Sequence, residues 1–369
     1  GMNEILKIVT KNPDTSYYPK ASLVYCSKNF KLDTIQELCY KFNIYSTQPL
    51  FGKCVYISAV TGDLVAEQNL ILHTELTGSA VTAYSGTRSI QTDSTAPGNY
   101  RLREVNRGNG IITLNMKKGT VYGNAVDFTD SDNTWNNNNA DKDHVATDAH
   151  WGAEMTYDYF QQEHGRNSFD NNGATIYSFV HYDVGLANAF WNGTVMTYGD
   201  GKSTSILNVP LTSLDVCGHE ITHAVTNYSA DLIYQNESGQ LNESFSDIFG
   251  QSIEIWSRPS QNSWKIGEDI TVGNSGIRNM QDPNINNQPK YYKGNLWYSG
   301  TGDNGGVHYN SGVQNYWFYL ITSGASGNNE IGNAFNISPL GLTKSAAIAY
   351  RNLTAYLTKS ATHDDARLY

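Results

Sequence analysis

The stretch "DVCGHEITHAVT" (215–226) holds two histidines four residues apart, with a glutamate directly after the first. In a helix, residues at that spacing lie one above the other on a single face. His219 and His223 therefore present two imidazole nitrogens to one point, which suits tetrahedral zinc. Glu220 sits about 100° further round, able to reach a water at that metal without entering its ligand set. Cys217 is about 200° from His219 and is expected to be a small buried hydrophobe facing away from the metal. The alternative is a core helix with two hydrogen-bonded histidines. Two ligands do not make a zinc site, so a third must come from another element.

Downstream, "QNESGQLNESFSDIFGQSIEIW" (235–256) offers one. Glu243 is expected to open a helix with Phe245, Ile248, Phe249 and Ile253 on its apolar positions and Asp247 one turn on. This pair can place one carboxylate on the metal and the other behind a histidine ligand, fixing its tautomer. The alternative is an ordinary acidic first turn, favourable at a helix N-terminus.

The chain has 369 residues, enough for one large domain or two to three smaller ones. Only 16 % of them are charged, and the formal net charge is −10, which speaks against a nucleic-acid partner and makes calcium a more natural one. No apolar run approaches membrane-spanning length. The opening Gly1-Met2-Asn3-Glu4 lacks the basic and apolar stretches of a signal peptide, so the chain is expected to begin inside a longer precursor.

Residues 1–75 differ from the rest, with seven Lys, seven acidic residues and no Arg. "ASLVYC" and "CVYISAVTGDLV" read as strands, and "LDTIQELCYKF" between them has helical periodicity. Strands and hairpins are expected from 76 to about 145, then a long helix closed by Gly165, two further strand regions and, from Leu214, mostly helix. Thr362 is placed to cap a final helix with Asp364 and Asp365 in its first turn.

"GHEITHAVTNYSADLIYQNESGQLNESFSDIFG" resembles the catalytic core of the thermolysin-like zinc metallopeptidases. So do "NAFWNGTVMTYGDG" (188–201) and "GTGDNGGVHYNSG" (300–312), and the likeness runs with gaps from about Thr77 onward. "VYISAVTGDLV" is similar to the last part of the pro-region that such enzymes carry. The resemblance implies an α+β, two-lobed fold: a partial pro-region (1–75), a β-rich lobe (76–213), and the active-site helix with a helical lobe (214–369) that stops short of the family's full length.

It also implies roles. His219, His223 and Glu243 bind zinc, with the fourth position left for water, and Asp247 backs His219. Glu220 is the general base. His308 and Tyr234 donate to the oxyanion, Asp303 orients His308, and Asn188, the Ala189 carbonyl and Arg278 hold the substrate backbone. Leu211, Val216, Ile266, Ile270 and Ile277 line a pocket for an apolar side chain, with Asn208 expected to make one edge more polar.

Calcium is where the sequence departs from that pattern. Asp215, Glu254 and Glu268 fill three positions of a double-calcium cluster, while Ser263 and Lys265 replace two acids. At most one Ca2+ is expected there, with the Lys265 ammonium in part of the vacated volume. Asp130, Asp132 and Thr134 in "DSDNT" form a weaker calcium candidate whose alternative is a plain polar turn. The function implied is a secreted endopeptidase that acts on polypeptides and cuts on the amino side of bulky apolar residues. A latent state held by its own pro-region, or a peptide-binding pseudoenzyme, is the alternative.

Overall fold

The computed structural model describes residues 19–30, 35–47, 50–69, 76–136, 139–261 and 263–368. The chain divides into two compact units, residues 1–74 and 75–369. In the first, strands β1 (Ser22–Ser27), β2 (Gln36–Thr47), β3 (Leu50–Ser58) and β4 (Leu64–Asn69) form an antiparallel sheet in sequence order. The helix expected in 32–42 is not formed. Residues 32–34 lie outside the described residues, and Gln36 to Phe42 belong to β2. Pairing on both sides, Cys39 with Val24 and Phe42 with Val55, satisfies the backbone of this run and overrides its helical periodicity. Cys26, Cys39 and Cys54 are buried and unpaired.

The second unit opens with two sheets. One runs β11 (Thr129–Asp130), β7 (Asn99–Arg101), β6 (Thr87–Ala96), β5 (Leu76–Val81) and β12 (Thr134–Trp135). The other runs β10 (Val126–Asp127), β9 (Ile111–Asn115), β13 (Ile176–Val180), β15 (Met196–Tyr198) and β14 (Ala189–Trp191), with β8 (Arg103–Glu104) also on β9. Among the described residues, strand β14 pairs only with β15, so its other edge is left to the cleft.

Helix α1 (Asp143–His164) ends at Gly165, whose φ of 66° closes it in the left-handed region favourable to glycine. Helices α2 (Leu214–Asn227) and α3 (Asn236–Ser257) follow, then α4 (Asp303–Asn310), α5 (Gly312–Ser323), α6 (Leu342–Arg351) and α7 (His363–Leu368). Thr362 and Asp365 cap α7 reciprocally, since each backbone N–H donates to the other's side chain. A continuous core joins α1, α2 and α3 through Phe160, Ile221, Phe245 and Phe249. No helix among the described residues is long and apolar enough to cross a membrane.

Helices α2 and α3 touch backbone to backbone because the crossing carries two glycines. A Cβ on Gly250 would lie 2.5 Å from the Asp215 carbonyl oxygen and 3.2 Å from the His219 nitrogen; one on Gly218 would lie 3.1 Å from Gly250 Cα. This spacing sets how far the histidines of α2 stand from the carboxylates of α3. Gly250→Ala should therefore destabilise the fold by about 1–3 kcal/mol and lower zinc content as well. Thermal melting and metal analysis check this; an unchanged zinc content would show that the crossing does not set the ligand geometry.

Candidate active site

Helix α2 supplies His219 and His223, and α3 supplies Glu243. The ligand atoms of these three lie within 4.8 Å of one another, and no other set of three or more His, Cys, Asp or Glu side chains among the described residues does so. Glu243 does not open its helix, contrary to the expectation from its sequence position. Helix α3 begins at Asn236, so Glu243 is two turns in and fully buried, and the acidic-first-turn alternative fails.

The hydrogen bonds fix both histidine tautomers. His219 Nδ1 lies 2.9 Å from Asp247 Oδ1, which can only accept, so Nδ1 carries the proton. His223 Nδ1 lies 2.7 Å from Asn242 Oδ1, and the Asn242 amide is oriented by donating from Nδ2 to the Leu232 carbonyl at 3.1 Å. In the neutral form each ring then carries its lone pair on Nε2, and the two Nε2 atoms face each other at 3.0 Å. Glu243 Oε2, buried without a hydrogen-bond partner, lies 3.5 Å from His219 Nε2. Two lone pairs and an orphaned carboxylate oxygen at one point fit a divalent cation, and the nitrogen and oxygen donors suit zinc.

Charge around the site is tightly matched. Burial opposes ionisation of Glu243, but His308, His223, His219 and Arg278 outweigh it and hold its pKa down at about 2. Asp247, also buried, is held well below the usual carboxylate range, above all by Arg278. Arg278 donates to both Asp247 oxygens, from Nε at 2.6 Å and Nη2 at 2.5 Å. Asn315 donates to Asp247 Oδ2 at 2.7 Å. Arg278, expected on substrate, lines the cleft but also anchors the residue behind His219.

Across the site, Tyr234 donates its hydroxyl to Glu243 Oε1 and lies 3.2 Å from His308 Nε2. Burial and the Glu243 charge push the Tyr234 pKa up, so it remains a protonated donor. Asp303 grips His308 twice, at Nδ1 (2.6 Å) and at the backbone N–H (2.8 Å). Residues 303–306 all have positive φ, and a Cβ on Gly306 would lie 2.5 Å from the Tyr298 ring, so this hairpin-tight entry to α4 needs its glycines. Glu220 Oε2 accepts the Trp191 N–H at 2.9 Å, which ties the glutamate to the edge strand β14.

These groups line a cleft of about 580 Å³. Asn188, Ala189, Leu211, Val216, Ile266, Ile270, Ile277 and Arg278 all lie on its wall. Asn208 does not: it is exposed, and its neighbour Leu207 faces the cleft instead, so the expected polar edge is replaced by an apolar one. Cys217 is fully buried against α1, as its helical angle required. Asn242 and the Trp191 amide are functional groups that the motifs alone do not single out. Asn242 lies one residue before Glu243, and asking what orients the second histidine would point to it.

In the turn at 130–134, Asp130 Oδ1 accepts the N–H of Asp132 (2.9 Å) and of Thr134 (3.2 Å), and Asp132 Oδ1 that of Thr134 (2.8 Å). Lys265 does not enter the Asp215/Glu254/Glu268 cluster. Its ammonium donates outward to the Asn274 carbonyl at 2.8 Å, because β16 (Lys265–Ile266), paired with β17 (Arg278–Asn279), turns Ile266 inward.

Asn242→Ala should free the His223 ring and weaken zinc affinity by about 10–100-fold. Competition with a chromophoric chelator measures this; affinity within a factor of two of wild type would assign Asn242 to packing alone.

Comparison with known proteins agrees with this geometry. The family model for the thermolysin metallopeptidase catalytic domain matches residues 77–227, and that for the thermolysin metallopeptidase α-helical domain matches residues 230–369. The chain is 41 % identical over 356 residues to a bacillolysin of Brevibacillus brevis, covering 95 % of this chain and 62 % of that one. It is 37 % identical over 382 residues to a thermostable neutral protease of Geobacillus stearothermophilus, covering 99 % and 66 %. The chain thus spans somewhat less than two thirds of these relatives. Among solved structures, the precursor of protealysin, a metalloproteinase from Serratia proteamaculans, aligns with a TM-score of 0.56 at 31 % identity, covering 69 % of this chain and 78 % of that one.

Proposed function

The chain belongs to the thermolysin metallopeptidase family, and from that premise we propose that it is a secreted, zinc-dependent endopeptidase cutting before bulky apolar residues. The observation that carries this reading is the pair of bare Nε2 atoms beside the unpartnered Glu243 oxygen, facing an open cleft that also holds Glu220, Tyr234 and His308.

The chemistry follows from where each group stands. Zinc supplies a Lewis acid for the scissile carbonyl and makes water easier to deprotonate. Glu220, steadied by the Trp191 N–H, takes the proton of the attacking water and passes it to the leaving amine. Tyr234 and His308, whose Nδ1 is held by Asp303, face the position of the developing oxyanion as donors; each such donor contributes about 10²–10³ in rate. The unpaired edge of β14 offers the backbone of residues 189–191 to an extended peptide. Beyond it, Leu211, Val216, Ile266, Ile270 and Ile277 favour an apolar side chain by about 1.5–3 kcal/mol and strand a charged one. The complete set of chemical groups speaks against a peptide-binding pseudoenzyme.

Glu220→Gln should keep its zinc and lose about 10²–10⁴ in turnover, because an amide cannot take the proton. Glu243→Gln should lose zinc first. Digestion of a peptide library by wild type should give cuts before Leu, Ile or Phe. Near-normal turnover by Glu220→Gln, or a preference for acidic residues after the cut, would sink the assignment.

Residues 1–75 are further proposed to be a pro-region that keeps the enzyme latent until cut between Leu70 and Thr77. Residues 70–75 are outside the described residues; the support is the separate compact unit and the likeness to a precursor structure. Intact mass of the protein recovered from culture medium should show a species beginning between 70 and 77. A fully active chain retaining residues 1–75, or protein found only inside cells, would overturn this.

A further inference from the structure

The end of α3 meets the start of α2 and the 263–269 loop around four acidic side chains, Asp215, Glu254, Glu268 and Asp269. Against two of them, Glu254 and Asp269, lies a cation that the spacing of the acids does not reveal. Arg258, one helical turn after Glu254, is only 4 % exposed. Its Nη2 donates to Glu254 Oε1 and, at 3.0 Å, to Asp269 Oδ2. Its Nη1 reaches across to the turn between β5 and β6, 3.4 Å from the Tyr84 carbonyl and 3.5 Å from Ser85 Oγ.

The carboxylates expected to hold calcium are already engaged. Asp215 Oδ1 accepts from Ser213 Oγ (2.6 Å) and the Val216 N–H (2.9 Å), and Oδ2 accepts from the Gly267 N–H. Glu254 Oε1 accepts from Arg258, and Oε2 from Gln251 Nε2 at 3.1 Å. Glu268 Oε1 accepts from Ser263 Oγ, and only its Oε2 has no partner. Five of the six oxygens are therefore taken by protein donors. Among the described residues, the group of side chains gathered so as to hold a metal is His219, His223 and Glu243, and Asp215, Glu254 and Glu268 are not part of it. Calcium takes six to eight oxygens, and bringing it next to a buried guanidinium sets like charges against each other in a poorly screened place. The residues present do not fit the ion that the family pattern implies.

We propose that the Arg258 guanidinium is the resident cation of this cluster, so that no calcium binds among Asp215, Glu254 and Glu268 and the joint between the lobes holds without it. A guanidinium suits this role because it is permanently charged, planar, and can bridge two carboxylates while its other arm bonds the β5–β6 turn. What a bound ion does in trans, this side chain does in cis, as part of the fold. Lys265 is then free to point outward, as it does.

Two measurements on the zinc-loaded full chain, stripped of calcium on a chelating resin and checked for retained zinc, test this. Calorimetric titration with CaCl2 should give the same number of calcium sites in wild type and in Glu268→Gln. One site fewer in Glu268→Gln overturns the proposal. Arg258→Met keeps the length of the side chain without its charge. It should melt about 5 °C or more below wild type in calcium-free buffer and regain part of that loss in about 10 mM CaCl2. If it melts with wild type in calcium-free buffer, Arg258 is not the stabilising cation. Should this variant not fold, the Glu268→Gln titration decides alone.

Discussion

Two imidazole nitrogens face each other at 3.0 Å, while a hydrogen bond on the far side of each ring holds a proton at Nδ1, an arrangement that suits a divalent cation between them. Much of the helical part of the molecule serves to hold it. Helices α2 and α3 come close enough through Gly218 and Gly250 that Asp247 and Asn242 can reach the backs of the rings. Arg278 and Asn315 then hold Asp247 in place, so its orientation does not depend on the metal. Breaking any layer of this stack leaves buried charge unpaired, which costs more than the intact stack contributes to stability.

The cleft has a different logic. The proposed chemistry asks opposite things of its side chains: Glu220 is to accept a proton, while Tyr234 and His308 are to give hydrogen bonds. The fold separates them by using different supports. Glu220 is tied to the sheet through the Trp191 amide, and His308 is tied to its own tight turn through Asp303. The edge strand β14 and Glu220 are thus linked by one hydrogen bond, so that their positions in the cleft are set together.

Arg258 extends the same principle to the lobe junction. An acidic cluster can be neutralised by an ion drawn from solution or by a cation carried on the chain. The second choice trades dependence on the medium for the fixed cost of burying a guanidinium. The neighbouring sequence is consistent with it, since the two positions where the resemblance leads one to expect further acids are Ser263, which donates to Glu268, and Lys265, which donates to the Asn274 carbonyl.

The pairing of His219 with His223 and the long helices were legible in the sequence because they rest on local periodicity: four residues bring His223 over His219, and Gly165 ends α1 with a conformation that glycine adopts at little cost. That Tyr234, His308 and Asp303 stand together was legible only through resemblance, since a long stretch of chain separates Tyr234 from the other two. Three things were decided by tertiary structure alone. The run 36–42 became a strand because partners on both sides took its hydrogen bonds. Arg278 became an anchor for Asp247 rather than a substrate contact only, because β17 carries it under α3. Arg258, not Lys265, entered the acidic cluster, because the helical turn after Glu254 aims it inward while β16 turns Lys265 out. Spacing along one element fixes which groups share a face; which charge fills a gap between elements depends on how those elements pack.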